Sequence, residues 1–161
     1  MPKEHPDSPR EIYDLPDFPS RRSIPYLVQH LARLMTMDFL SRTAEIGVPP
    51  AQSYVLRELW RQEPLSQVEI SQRLDIGKAT VGQSLKRLER DGFVERRRSP
   101  EDGRVSIVYL TDKGRAVRKP LATHASVQVN DIDAVLGTDR ARILETLLED
   151  LVDEHRSRLK Q

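Results

Sequence analysis

The sequence predicts a mainly α chain with one small β-hairpin, an α+β domain, on three observations. Residues 65–92 read as two short helices joined by a tight turn, and 93–110 read as two strand-like runs around a turn-forming stretch. On either side, 23–46 and 112–159 carry apolar residues at helical spacing. A length of 161 residues suits one domain, or one domain with an oligomerisation arm.

Taken in order, residues 1–22 form a proline-rich arm. Six prolines between positions 2 and 25 forbid a continuous helix there. Ile12, Tyr13, Leu15 and Phe18 nevertheless give the arm apolar surface, and 12–18 is expected to pack across a partner or against its own helices. From Ser23 the spacing becomes helical through Ile24, Leu27, Val28, Leu31, Leu34, Met35 and Phe39, with Pro25 suited to the first turn. This long helix should end near Gly47. Pro50 opens the next one, whose Tyr54, Val55, Leu56, Leu59 and Trp60 are expected to pack on both neighbours, and Pro64 stops it near Glu63. Leu65 then supplies a short strand beside the hairpin.

Ser66 and Glu69 have the spacing of a capping box, so a helix starts there, carrying Val68, Ile70 and Leu74. The chain turns through Asp75, Ile76 and Gly77, and Val81, Leu85 and Leu88 mark the buried side of a second helix. Its opposite face holds Ala79, Gln83, Lys86 and Arg90, with Gly82 and Arg87 flanking. Such a face suits a B-DNA major groove. Gln bonds adenine bidentately, Arg and Lys reach guanine or phosphate, and small residues permit close approach. Gly92 stops the helix. Residues 93–98 and 104–110 are the strand-like runs, and Ser99, Pro100, Glu101, Asp102 and Gly103 make the turn between them. Arg96, Arg97, Arg98 and Arg104 make this hairpin basic, and arginine suits the narrow, negative minor groove. Helix, turn, helix and basic hairpin make a winged helix-turn-helix.

Beyond the hairpin Thr111 is an N-cap for a helix running through Leu121 to Val135, in which Pro120 predicts a kink or a late start. Gly137 breaks it. Thr138 is expected to cap a last helix bearing Ile143, Leu144, Leu147, Leu148, Leu151 and Leu159. This apolar face is too wide for one small domain to cover, so the terminal helices are expected to bury it against a second copy.

Net charge is +1, but its distribution is uneven. Residues 71–119 hold 13 Lys and Arg against 7 Asp and Glu, whereas the rest holds 13 against 18. A local basic patch on an acidic body fits a phosphate-facing surface, because releasing counterions supplies most sequence-independent affinity.

These elements, the phrase LKRLERDGFVERRRSPEDGRVSIVYLTDKG and the triplet Asp102-Gly103-Arg104 resemble the MarR (multiple-antibiotic-resistance regulator) family of bacterial transcription factors. The resemblance runs from residue 24 to the C-terminus and is strongest over 65–114. It implies a domain over 23–161, with the winged helix-turn-helix at about 50–112 and dimerisation helices at about 23–46 and 112–159. It implies too that Asp102 pairs with Arg104, the arginine that enters the minor groove; a carboxylate can orient a guanidinium fork in that way. The expected function is a sequence-specific, homodimeric transcriptional repressor on a palindromic operator in double-stranded DNA, with recognition helices about 34 to 36 Å apart. Gln83, Lys86, Arg87 and Arg90 would enter the major groove, Lys78, Thr80 and Ser84 would contact phosphate, and Arg98 would join Arg104 in the minor groove. In the resembled family the ligands are commonly small aromatic or phenolic acids and related compounds bound between the first helices and the winged domain, which points to Tyr26, His30, Arg33, Tyr54 and Trp60 as an effector site. The alternative is a winged-helix protein-interaction module without specific DNA readout.

Other classes find little support. With no cysteine, neither disulfides nor thiol-based oxidant sensing is available. His5, His30, His124 and His155 lack metal-ligand spacing, so no metal or cofactor is expected. There is no phosphate loop, nucleophile elbow or Cys-His pair to make an enzyme. Neither a membrane span nor a signal peptide is seen, and a cytoplasmic location is expected.

Overall fold

The computed structural model describes residues 23–159; the arm, with its 12–18 segment and His5, lies outside the described residues. Ten helices and strands follow in order: α1 (Ile24–Thr43), α2 (Pro50–Arg61), β1 (Leu65–Ser66), α3 (Gln67–Leu74), α4 (Lys78–Arg90), β2 (Val94–Arg98), β3 (Ser106–Leu110), α5 (Asp112–Ala116), α6 (Arg118–Leu136) and α7 (Thr138–Leu159). A 3-10 turn, Ala44–Ile46, follows α1 and ends at Gly47 in the left-handed region. The chain divides within α1 into two units, one ending at Asp38 and the other beginning at Phe39.

In the first unit Ile24, Leu27, Val28, Leu31, Leu34 and Met37 are exposed. The Tyr26 and His30 rings stack at 5.8 Å, and the Arg33 guanidinium lies 2.8 Å from His30 Nδ1.

The second unit is built on a three-stranded antiparallel sheet in the order β1-β3-β2, with Leu65 opposite Val108 and Arg96 opposite the same residue from the other side. Its core joins Val55, Leu56 and Leu59 of α2, Ile70 of α3, Val81, Leu85 and Leu88 of α4, Val94, Val108 and Leu110 of the sheet, and Leu121 of α6. Tyr54, expected to pack, is 45 % exposed. The apolar buried stripe of α2 runs through Val55, Leu56 and Leu59, and Tyr54 points away from it around the helix.

Local signals set the boundaries. The capping box forms in full: Glu69 N–H donates to Ser66 Oγ at 3.2 Å, and Ser66 N–H to Glu69 Oε2 at 2.7 Å. At the end of α4, Gly92 adopts φ +76°, while Phe93 N–H bonds Leu88 O at 2.8 Å and Gly92 N–H bonds Glu89 O at 3.0 Å, a Schellman pair. That pair consumes Phe93, so β2 starts at Val94, one residue later than the apolar run. Likewise β3 starts at Ser106, which puts Arg104 in the turn rather than in a strand.

Thr111 caps α5 through Gly114 N–H. Pro120 has no N–H for the carbonyl of residue 116, and the helix breaks at Val117 to restart with Pro120 in the first turn of α6. Thr138 is not the cap of α7 but its first residue; the Gly137 carbonyl takes the Ala141 N–H at 3.0 Å. Along α7 only Ala141 is buried, and Ile143, Leu144, Leu147, Leu148, Leu151 and Val152 are exposed. Among the described residues no helix is long and apolar enough to cross a membrane, and no cluster of three metal-ligating side chains forms.

Candidate nucleic-acid interface

Helix α4 is held by its apolar side, which leaves its polar side outward. Lys78, Ala79, Thr80, Gln83, Lys86, Arg87 and Arg90 are exposed, and Ser84 is half-buried. Gly82 has another role than the sequence implied. A Cβ there would stand 3.0 Å from Gln67 Nε2, which itself donates to Lys78 O at 3.0 Å. The missing side chain therefore leaves room for the Gln67 amide beside α4. The turn between them is closed by Ser71, whose Oγ donates to Ile76 O at 2.5 Å and whose carbonyl accepts from Ile76 N–H at 3.1 Å.

Ion pairing sorts the cations. Arg90 forks onto its neighbour Asp91, with Nε to Oδ1 at 2.8 Å and Nη2 to Oδ2 at 3.2 Å. This bond is what chiefly holds the Asp91 carboxyl below its ordinary range. Arg96 bonds Glu89 and ties β2 to α4; that bond depresses the Glu89 carboxyl. Arg97 pairs with Glu95 and lies 4.9 Å from the centre of the Tyr109 ring. Among the described residues no carboxylate pairs with Lys78, Lys86, Arg87, Arg98 or Arg104.

These five cations without an ion-pair partner lie along α4 and at the end of the hairpin. Of the four hairpin arginines, Arg98 and Arg104 are the ones left uncommitted. Ser99 N–H bonds Val105 O and Val105 N–H bonds Asp102 O, both at 2.9 Å, so the hairpin end is a structured turn. The expected Asp102–Arg104 side-chain pair is replaced by a bond from the Arg104 backbone N–H to Asp102 Oδ1 at 2.9 Å. A side-chain oxygen reaching the amide two residues on is a shorter closure than one reaching a guanidinium.

Of the five residues expected to form an effector site, Tyr26, His30 and Arg33 belong to the first unit and Tyr54 and Trp60 to the second. Trp60 donates from Nε1 to Gly114 O at 3.0 Å and lines a cavity of about 550 Å³ between α2 and α6. Tyr54 does not line it and instead carries Arg57 over its ring at 5.6 Å. Arg57, Arg61 and Arg118 line the same cavity, with Leu121, Ala125 and Val129 as apolar surface. The sequence reading missed those three arginines. The signal available was Arg57 and Arg61, one helical turn apart and adjoining Trp60.

Residues 46–105 match the model of the MarR family. An uncharacterized HTH-type transcriptional regulator of Bacillus subtilis, YdgJ, is 35 % identical over 90 residues, 56 % of this chain and 53 % of that protein. The chain thus spans about half the length of this curated relative. Among solved structures, the transcriptional repressor CouR bound to a 23-mer DNA duplex is 30 % identical, with a TM-score of 0.71 over 81 % of this chain and 92 % of that one. A MarR transcriptional regulator from Methanosarcina mazei Go1 shares the fold at TM-score 0.76 and 23 % identity, over 83 % of this chain and 96 % of that one.

Proposed function

The chain belongs to the MarR family, and from that premise we propose that it is a homodimeric, sequence-specific DNA-binding regulator, acting as a repressor. Its relatives and its fold are those of transcriptional regulators, not of enzymes. The observation that carries the reading is the set of unpaired cations along α4 and the wing, Lys78, Lys86, Arg87, Arg98 and Arg104. Gln83, Lys86 and Arg87 read base edges in the major groove, Lys78, Thr80 and Ser84 grip phosphate, and Arg98 and Arg104 enter the minor groove. Arg90 joins them by exchanging Asp91 for DNA. A DNA-bound relative at 30 % identity supports DNA binding by a chain of this fold.

Two copies double these contacts on a palindromic operator. The apolar rows of α1 and α7 supply the surface for such a pairing. The effector is a small aromatic or phenolic acid, acting through its unequal affinity for two spacings of the reading heads. The cavity beside Trp60 supports an acid, since its guanidiniums attract a carboxylate and its indole and aliphatic side chains cover a ring. Tyr26, His30, Arg33 and Tyr54 remain candidates from the family resemblance. The protein acts in the cytoplasm, as a reader of chromosomal DNA must.

Selection of bound fragments from the source genome, repeated with aromatic acids present, tests the reading. An enriched palindrome whose affinity falls by orders of magnitude between about 50 and 200 mM salt is expected. Salt-insensitive binding without an enriched sequence would overturn it and favour protein docking. Unchanged affinity across a broad acid panel would remove the effector.

A further inference from the structure

Helix α7 reaches the helix-turn-helix through its far end. The Arg156 guanidinium holds Asp75 Oδ2 with Nε and Nη2, each at 2.8 Å, while its Nη1 holds Asp153 Oδ1 at 2.8 Å. Asp75 is the residue on which the chain leaves α3: it adopts φ +51° and its N–H bonds Ser71 O. Three residues later α4 begins. The two ends are not packed together. A cleft of about 390 Å³ lined by Val152, His155 and Leu159 opens beside the pair, and Val152 and Leu159 are exposed. The connection is therefore the ion pair and not a shared core. All three guanidinium nitrogens are engaged by two carboxylates, which fixes its plane.

We propose that Arg156 is a positioning residue for DNA recognition: by clamping Asp75 it ties the far end of α7 to the turn that aims α4, so that the surface α7 packs against sets the angle of the reading helix. This rests on the regulator reading above. An exposed pair of this kind contributes little to global stability. Direction is another matter, because hydrogen bonds to base edges weaken steeply with misalignment, and Gln83 lies only eight residues beyond Asp75. The clamp thus affects the fit to bases more than the fold.

The test uses the full chain with Arg156→Gln, Asp75→Asn and the double variant; Asn keeps the left-handed backbone at 75. Affinity is measured for the selected operator and for a scrambled duplex at one salt concentration, alongside thermal melting and sedimentation. Each single variant is expected to weaken operator binding about fivefold, leaving scrambled-duplex affinity, melting and oligomeric state unchanged, with the double variant no weaker than either single one. Operator affinity equal to wild type overturns the clamp, as do losses that add in the double variant. An equal loss on scrambled DNA also overturns it, making Arg156 a phosphate contact. If the wild-type chain itself fails to discriminate the two duplexes, the regulator reading fails and the positioning role with it; if it discriminates and the variants match it, the clamp alone fails.

Discussion

Asp102 accepts a hydrogen bond from the backbone N–H of Arg104 at 2.9 Å, and this bond folds the wing tip while leaving the guanidinium free. The carboxylate shapes the turn; the arginine side chain is available to DNA. Arg104→Ala should therefore weaken operator binding markedly and lower the salt slope by about 1, with an unchanged melting curve. Wild-type affinity would take the wing out of the mechanism.

On α4, Gln83 is exposed with no protein partner among the described residues. Gln83→Ala is expected to cost about 1 to 3 kcal/mol of discrimination at one base position, measured against a panel of single-substitution operators. An even loss on every sequence would instead mark a backbone contact.

Gly114 sits where no larger residue fits. A Cβ at this position would lie 2.1 Å from the Phe93 carbonyl oxygen, a backbone atom that already accepts the Thr111 N–H at 3.1 Å. Trp60 also bonds the Gly114 carbonyl, so a shift of α5 would break that contact too. Gly114→Ala should destabilise the fold by about 3 kcal/mol, read as a lower urea midpoint at unchanged slope.

Three carboxyls lie below their ordinary value of 4.5: Glu63 through its bond to Arg115, Glu69 through the Ser66 amide and Glu89 through Arg96. A depressed carboxyl stabilises the fold above its unfolded value and loses that contribution as pH falls through the folded one. Thermal stability should therefore hold above about pH 4.5 and decline below it. Glu89→Gln should melt lower than wild type at neutral pH, and that gap should close as the pH drops past the same point. A gap that widened in acid would reverse the assignment.

The elements that could be read in advance are those closed by neighbours in the chain. Ser66 finds Glu69 three residues on, Gly92 closes α4 with bonds three and five residues long, and Thr111 caps through Gly114. Each is a bond whose partners any local sequence window contains. The outward face of α4 was legible for the same reason, since Val81, Leu85 and Leu88 fix which side is buried.

The sequence by itself thus determined the order of helices and strands, the caps at Ser66, Gly92 and Thr111, and the basic surfaces of α4 and the wing. Which cations remain free was decided only in three dimensions, when Glu89 met Arg96 across a helix and a strand and Glu63 met Arg115 from 52 residues away. The cavity arginines and the Arg156 clamp on Asp75, 81 residues apart, belong to the same class. A charge reveals its sign in the chain, but its partner is whichever opposite charge the packed core brings within reach, and that core is assembled from segments no local pattern connects.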